Sequence, residues 1–368
     1  MNFNGWQQGQ QQQQQQQQTQ PLMQTQPQPP QPTEDDDEPI PDALSQFVGI
    51  KPTFEFIYLM NFATAFVHAI SAVIIGAMAT NIKTSPPDTL RPYLPAMCFK
   101  EVVPGTRPRF ELEAEYVIDT KIYYAGLVVT FFALSAIFQC AQGLDKTRYM
   151  NRVTTNGVNM LRYIEYSISA SFMMVAIACI LLVYDMFTHI LVFVCTFTCM
   201  ILGLFADYIR VLRCSLVKIN ENAIKMGANV EVDEIATLPN CIDHLNKLKK
   251  ATHALGWVSI FVPYLAIFFV VYFRTTLRMW DCLDSLPDST PDTPVFVHLI
   301  IFTQFFLFNA FGLVQLYQFY CETDQLIINN DTKAIARIGL NTEHRFVLLS
   351  LIAKSILGWL VASNILFV

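Results

Sequence analysis

The chain has 368 residues and a formal net charge of −6; 53% of its residues are hydrophobic and only 15% are charged. Soluble domains usually carry about 25% charged residues, so this composition excludes a soluble globular enzyme as the leading class. The acidic balance also provides no basic surface for nucleic acid. A membrane protein is therefore predicted.

The first 45 residues differ in composition from the rest of the chain. They contain an unbroken glutamine run from Gln10 to Gln18, several prolines, and an acidic cluster from Glu34 to Glu38. Such a segment cannot bury enough apolar surface to offset its chain entropy, so residues 1–45 are predicted to be a disordered cytoplasmic tail. Recruitment of partners and a tolerated low-complexity extension are both open interpretations. Residues 46–368 are predicted to form a single domain.

Seven apolar segments follow the tail, and each is close to the roughly 20 residues that a helix needs to cross a bilayer. We therefore predict an all-α membrane protein built as a bundle of seven transmembrane helices. Two long connections interrupt the pattern, an outer loop at 81–120 and an insertion at 210–252. The predicted spans are 54–80, 121–142, 157–184, 187–209, 253–273, 295–320 and 345–367.

The distribution of Lys and Arg around the spans predicts the orientation of the bundle. Fourteen of these residues lie on the side that holds the N-terminus, against eight on the opposite side. The N-terminus is therefore predicted to be cytoplasmic and the C-terminus extracellular or lumenal. On this assignment the 210–252 insertion is cytoplasmic. Three of its lysines, Lys247, Lys249 and Lys250, lie next to apolar residues and make it a candidate surface for a partner or for anionic lipid. A solvated helical extension is the alternative.

The cysteines show no metal-ligand spacing, and most of them lie within spans, where packing is their default role. Cys98 and Cys282 lie in outer segments. A disulfide between these two residues is an open alternative to free thiols.

Ionisable residues inside the spans are few, and each costs about 2.5–3.5 kcal/mol to insert. Lys354 lies too deep in the seventh span for its stem to reach water, and Glu165 is the one carboxylate found deep in a span. An apolar pocket disfavours the charged form of a lysine, so its amine can form a Schiff base with an aldehyde. Glu165 would then be the anion that stabilises the resulting charge. A structural ion pair that fixes helix register is the alternative.

Three segments resemble heliorhodopsins, a class of retinal-binding rhodopsins. They are Leu161–Ser171 (LRYIEYSISAS), Phe308–Gln315 (FNAFGLVQ) and Leu348–Ser355 (LLSLIAKS). The resemblance covers roughly 52–209 and 253–368, and it implies a rhodopsin-like bundle. The orientation predicted from the charges is inverted relative to other rhodopsin classes, and this inverted topology is also that of heliorhodopsins.

The resemblance implies that Lys354 carries retinal as a Schiff base, with the retinal all-trans in the dark, and that Glu165 is the counterion. Ser135 and Ser350 would flank the Schiff base. The implied retinal pocket consists of Tyr166, Met200, Tyr264, Phe308 and Trp359.

Two positions bear on the polar cavity and the pocket that the family possesses. His68 matches one of two histidines of a cytoplasmic polar cavity, while Gln139 stands where the second is expected. Because a glutamine cannot accept a proton at neutral pH, a two-histidine proton-holding site is in doubt. Phe197 replaces a pocket asparagine, which should change the shape of the pocket.

The function implied by the resemblance is that of a light-sensing photoreceptor with a slow photocycle. Its conformational change would be read by a cytoplasmic signalling partner, and a homodimer in the bilayer is expected from the family. Pumping is not expected, because the interior offers no carboxylate besides Glu165. A light-gated proton or ion channel is one alternative. A retinal-free transporter or receptor is another, and no nucleophile–base set or phosphate loop indicates an enzyme.

Overall fold

The structure is a computed structural model that describes residues 53–81, 93–100, 109–116, 120–155, 157–181, 183, 185–225, 232–275 and 295–365. In both strands and at several helix ends only the backbone is described. The predicted tail (residues 1–45), Cys282 and the side chain of Cys98 lie outside the described residues, so the tail and the disulfide stay predictions.

Nine helices and two strands occur in the described segments. In chain order they are α1 (Phe54–Asn81), β1 (Tyr93–Lys100), β2 (Arg109–Tyr116), α2 (Thr120–Leu144), α3 (Lys146–Thr154), α4 (Met160–Ile180), α5 (Met186–Lys225), α6 (Val232–Thr275), α7 (Val295–Cys321), α8 (Asp324–Ile328) and α9 (Thr332–Ile365).

Seven of these helices are long and apolar enough to cross a membrane: α1, α2, α4, α5, α6, α7 and α9. The predicted bundle of seven membrane helices is therefore confirmed. The main differences lie at the helix ends. α4 is shorter than the predicted third span, and α9 begins at Thr332 rather than at residue 345.

The predicted outer loop at 81–120 contains an antiparallel hairpin. β1 pairs with β2 from Tyr93 opposite Tyr116 to Lys100 opposite Arg109. The all-α prediction therefore holds for the membrane part and misses this hairpin. The alternation of apolar and polar residues in Arg109–Tyr116 is the period-two signal that predicts such a strand.

The segment at 210–252 continues the membrane helices on either side of it. α5 runs for 40 residues, which at 1.5 Å per residue is about 60 Å, roughly twice the thickness of the hydrocarbon core. α6 begins at Val232 and runs for 44 residues. The ends of α5 and α6 favour the interpretation of this segment as a helical extension. Lys247 is exposed on it, whereas Lys249 is buried.

α4 occupies the centre of the bundle, since most of its side chains are buried. Small residues such as Ser167, Ala170 and Ser171 let neighbouring helices approach it closely. The end of the bundle at which α1 and α4 begin is called the N-terminal face below. It is marked by Phe54 and Tyr149, which pack against each other with ring centroids 5.7 Å apart.

Candidate functional site

The structure brings Lys354 of α9 and Glu165 of α4 together inside the bundle. The ammonium of Lys354 donates a hydrogen bond to Oε1 of Glu165, and the two residues are 3% and 1% exposed. Burial of two charges in an apolar bundle is tolerated only when they compensate each other. The pair is therefore a desolvated amine held against a single carboxylate.

One serine contacts this pair, and two more lie one helical turn away from it. The hydroxyl of Ser135 on α2 lies 2.7 Å from Oε1 of Glu165 and 2.8 Å from the carbonyl of Phe131. Ser350, one turn before Lys354, and Ser169, one turn after Glu165, are fully buried and have no hydrogen-bond partner among the described residues. Buried hydroxyls are rarely left without partners, so the site has polar capacity beyond the ion pair itself.

Tyr166 covers the other side of the amine. Its ring centroid lies 5.1 Å from Nζ of Lys354, and its hydroxyl donates to the carbonyl of Phe346 at 3.0 Å. Its ring also meets that of Phe311 edge to face, with centroids 5.2 Å apart. Tyr166 therefore forms a wall between the ion pair and the cavity beside it.

A cavity of about 60 Å³ adjoins Tyr166 and lies among α4, α5, α6, α7 and α9. Its lining includes Met200 and Phe308 together with glycines of three helices. The complete lining is Tyr163, Tyr166, Cys199, Met200, Gly203, His253, Gly256, Trp257, Ile260, Phe308, Phe311, Gly312, Gln315 and Phe346. Three of the five pocket residues implied by the sequence, Tyr166, Met200 and Phe308, are thus brought together.

The other pocket candidates lie elsewhere. Tyr264 is buried directly behind the lining, with its ring centroid 6.1 Å from that of Phe308. Trp359 is 38% exposed and Phe197 is 37% exposed, and neither belongs to the lining. Phe197 therefore does not line this cavity, and the expected effect of its replacement on the retinal pocket stays a prediction.

One end of the cavity is closed by a hydrogen-bonded chain that sequence reading missed. Gln315 of α7 donates through Nε2 to the hydroxyl of Tyr163 at 2.9 Å and to the carbonyl of Gly203 at 2.7 Å. Trp257 donates to Nε2 of His253, so Nδ1 carries the histidine proton and donates to Oε1 of Gln315 at 3.2 Å. α7 is therefore tied to three neighbouring helices at this point.

His68 of α1 and Gln139 of α2 are both buried, at 0% and 2% exposure. Neither ring nitrogen of His68, nor Oε1 of Gln139, makes a close hydrogen bond in the described part of the chain, although the side chain of Gln139 lies near the His68 ring. The ring of His68 lies 5.6 Å from that of Phe132. These unpartnered polar atoms indicate a site that ordered water can satisfy.

The expectation that Glu165 is the only carboxylate in the interior was wrong. Glu343 is 2% exposed and forms an ion pair with Arg162 of α4, and it accepts further hydrogen bonds from Asn159 at 2.9 Å and from Tyr149 at 3.1 Å. Because α9 begins at Thr332, Glu343 lies well inside a helix rather than before one. The apolar segment predicted as the seventh span begins at residue 345, so it did not indicate that Glu343 is buried.

A second buried charge cluster joins α5 to the end of α7. Nε of Arg210 lies 2.5 Å from Asp207, and Nη1 lies 2.8 Å from both carboxylate oxygens of Glu322. Nearby, Arg213 pairs with Asp324 of α8 at 2.5 Å. The spacing of Asp207, Arg210 and Arg213 on one helix face is the sequence signal that could have indicated this cluster.

The heliorhodopsin family model matches residues 57–366, which is most of the chain. The chain belongs to the heliorhodopsin family. Among curated proteins, none matches the chain. Membership in the heliorhodopsins makes it a light-sensing membrane protein of seven helices that binds retinal.

The residues of this heliorhodopsin fit retinal chemically. Lys354 supplies a buried primary amine, Glu165 supplies a compensating anion, and half of the residues that line the adjoining cavity carry aromatic rings. Ligand pockets usually measure about 300–1,000 Å³, so a cavity of about 60 Å³ must widen to admit a ligand of this size. The flexible thioether of Met200 and the ring of Trp257, which packs closely on Gly312, are lining groups that would have to move.

Proposed function

We propose that this heliorhodopsin is a light-sensing photoreceptor in which Lys354 holds retinal and Glu165 is the counterion. The observation that supports it most directly is the buried Lys354–Glu165 contact beside an aromatic cavity. Retinal, when bound to this amine as a Schiff base, would supply visible absorption and a polyene that isomerises in light. The family match accounts for retinal in general, and this geometry is the reason for assigning it to Lys354.

The chain's own residues would hold a positive charge in an apolar bundle. Glu165 compensates that charge, and Ser135 hydrogen-bonds the same carboxylate oxygen and so fixes its position. Tyr166 presents its ring face to the cation, which favours the charged form further. Ser169 and Ser350 lie one helical turn from Glu165 and Lys354, and their buried hydroxyls offer polar groups to which a water molecule beside the pair could bind.

We propose that the protein does not pump protons. Pumping needs carboxylates that can give up and take back a proton on opposite sides of the retinal. The further buried carboxylates Asp207, Glu322 and Glu343 each form an ion pair with an arginine, so they are engaged in structural contacts between helices. They also lie toward the N-terminal face, so they supply no relay on the other side.

The proposed output is a conformational change read on the N-terminal face, which the charge distribution assigns to the cytoplasm. That face carries the long α5 and α6 extensions and both buried charge clusters. The opposite half of the core is mainly apolar, for example at Met173, Ile177 and Leu357, and it holds fewer buried polar side chains, such as His189 and Gln304. We therefore propose that a signalling partner binds at the N-terminal face.

A light-gated proton or ion conductance is the second candidate. Buried polar side chains such as His68, Gln139 and Asn61 lie toward the N-terminal face. They favour a conduction path through that half of the bundle. The apolar packing of Phe131, Phe132 and Leu357 opposes a path through the other half. Photocurrents recorded under voltage clamp distinguish the candidates, since a sensor gives none at any voltage.

The test of the proposed function is a visible absorption spectrum of the protein purified with all-trans retinal. Wild type should show a visible band that hydroxylamine bleaches, and Lys354→Ala should lack it. Lys249→Ala is the matched control, because Lys249 is also a buried lysine but lies outside the site. Its band should match that of wild type.

Two results would contradict the proposal. A folded wild-type protein without a visible band would leave Lys354 and Glu165 as a structural or transport pair. A band that persists in Lys354→Ala would place the retinal on another residue.

A further inference from the structure

Glu322 ties the end of α7 to the middle of α5. Its carboxylate lies 2.8 Å from Nη1 of Arg210 and accepts a hydrogen bond from Gln318 at 3.1 Å. Arg210 and Glu322 are 2% and 6% exposed. Because α7 ends at Cys321, this contact holds the last turn of that helix and the start of α8 against α5.

The two carboxylates that contact Arg210 lie on different elements. Asp207 is one turn earlier on α5 itself, whereas Glu322 belongs to the end of α7. If the end of α7 moves away, Arg210 keeps its ion pair with Asp207. Glu322, which sits at the edge of a span, can then be hydrated. The contact can therefore open without leaving an uncompensated charge inside the protein, which is the arrangement that is strongly unfavourable.

The other buried cluster is built differently. Among the described residues, Glu343 is the single carboxylate in ion-pair contact with Arg162, and the guanidinium also packs on the ring of Phe346 at 4.1 Å. Separation of α4 from α9 would leave the charge of Arg162 without that partner. The α4–α9 contact is thus suited to stay closed, and the α5–α7 contact is suited to open.

α7 also forms part of the cavity wall. Phe311 meets the ring of Tyr166, which in turn covers Lys354, and Gln315 lies one turn further along the same helix. A rearrangement beside Lys354 therefore acts on the helix that ends at Glu322.

We propose that the Glu322–Arg210 contact is the releasable connection through which light changes the N-terminal face. This inference rests on the proposed function. On release, α8 separates from α5, and the half-exposed Asp324 of α8 exchanges its ion pair with Arg213 for water. Ile327 of α8 packs in one cluster with Cys214 and Val217 of α5, so separation exposes the thiol of Cys214 to water.

Cysteine accessibility reports this step directly. Labelling with a water-soluble maleimide, read peptide by peptide by mass spectrometry, compares three native thiols of the retinal-loaded protein in the dark and in the light. Illumination should raise the labelling rate of Cys214, now 7% exposed, by about tenfold. Cys241, exposed on the α6 extension, should label in both conditions, and buried Cys179 in neither.

Substitutions separate the roles of the two carboxylates. Glu322→Gln should raise the labelling of Cys214 in the dark, and also in protein prepared without retinal, because the ion pair is lost. Asp207→Asn should suppress the increase caused by light, since release of Glu322 would then remove the second of the two carboxylates that contact Arg210. Asp243→Asn removes an exposed ion pair with Lys247 on α6 and should change nothing.

The outcomes separate this inference from the proposed function. A protein with a normal visible band, in which neither light nor Glu322→Gln changes the labelling of Cys214, overturns the inference and leaves the photoreceptor proposal intact. Absence of a visible band in wild type overturns both. If Glu322→Gln does not fold, Glu322→Asp keeps the charge but shortens the side chain, and it should give the same increase in the dark.

Discussion

The ring of Tyr166 covers the ammonium of Lys354, with 5.1 Å between the ring centroid and Nζ. The hydroxyl of the same tyrosine is held by the carbonyl of Phe346, so the ring cannot swing away easily. One face of the cation therefore meets a carboxylate, Glu165, and another meets an aromatic ring. Two independent interactions thus stabilise the charge at this position.

Tyr166→Leu should shift the visible band and cause the band to be lost at a lower pH than in wild type. The reason is the loss of a cation–π contact, which at a desolvated site contributes about 2 kcal/mol to the charged form. Tyr166→Phe keeps the ring and should stay close to wild type. Absorption spectra recorded across an alkaline titration measure both variants. Identical titrations for Leu, Phe and Tyr would show that the ring does not act on the cation.

Glu165→Gln should have a larger effect than Tyr166→Leu on the alkaline titration of the visible band. Removal of the anion destabilises the charged form of its partner, so the proton is lost at lower pH and the visible band disappears earlier. Ser135→Ala is the graded comparison, because it removes one hydrogen bond to the carboxylate, an effect of about 1 kcal/mol. An unchanged titration in Glu165→Gln would assign the counterion to another group.

Arg162→Ala and Glu343→Ala should each destabilise the protein by about 3–5 kcal/mol, since either leaves one buried charge without its partner. The double variant should cost less than the sum of the two. Thermal unfolding in detergent measures the change. Lys146→Ala, which removes an exposed pair with Glu55, is the control and should cost less than about 1 kcal/mol. Equal losses of stability in all variants would show that the buried pair contributes no more to stability than the exposed Lys146–Glu55 pair.

Gly358→Ala should destabilise the bundle by about 1–3 kcal/mol, because the added methyl group would overlap the ring of Phe132. Phe132 is fully buried and packed against Phe131, so its ring has little room to move. Gly126→Ala on α2 is the matched control. Nothing lies within 4 Å of a Cβ at that position, so thermal unfolding should show no loss.

Asp185→Ala should destabilise the start of α5 by about 1 kcal/mol at neutral pH, because Asp185 accepts hydrogen bonds from the amide and the hydroxyl of Thr188 at the helix N-terminus. Partial burial acts to raise the pKa of Asp185, but the hydrogen bonds from Thr188 hold it below its ordinary value. A lowered pKa means that the contribution is present above about pH 4, and is lost as the pH falls through the folded-state pKa. The unfolding difference between wild type and variant should therefore vanish in acid. A difference that persists there would contradict the capping role.

The sequence was sufficient to predict the seven spans and the pairing of Lys354 with Glu165, because charges deep in apolar runs are rare and must compensate each other. It was insufficient for Glu343 and Asp207, which lie where apolar runs end and become interior only through the packing of longer helices. Trp359 shows a different limit. Five residues after Lys354, it points about 140° away around the helix, so a matching motif position does not place its side chain in the pocket.

The length of α5 has a mechanical consequence. α5 is about 60 Å long, and the hydrocarbon core of a bilayer covers only about half of that length. The helix can therefore act as a lever. A tilt of about 3–5° at the level of Gly203, where Gln315 holds the helix, moves the far end at Lys225, about 33 Å away, by about 2–3 Å. The helix thereby converts a small displacement beside the cavity into a larger one well clear of the lipid headgroups.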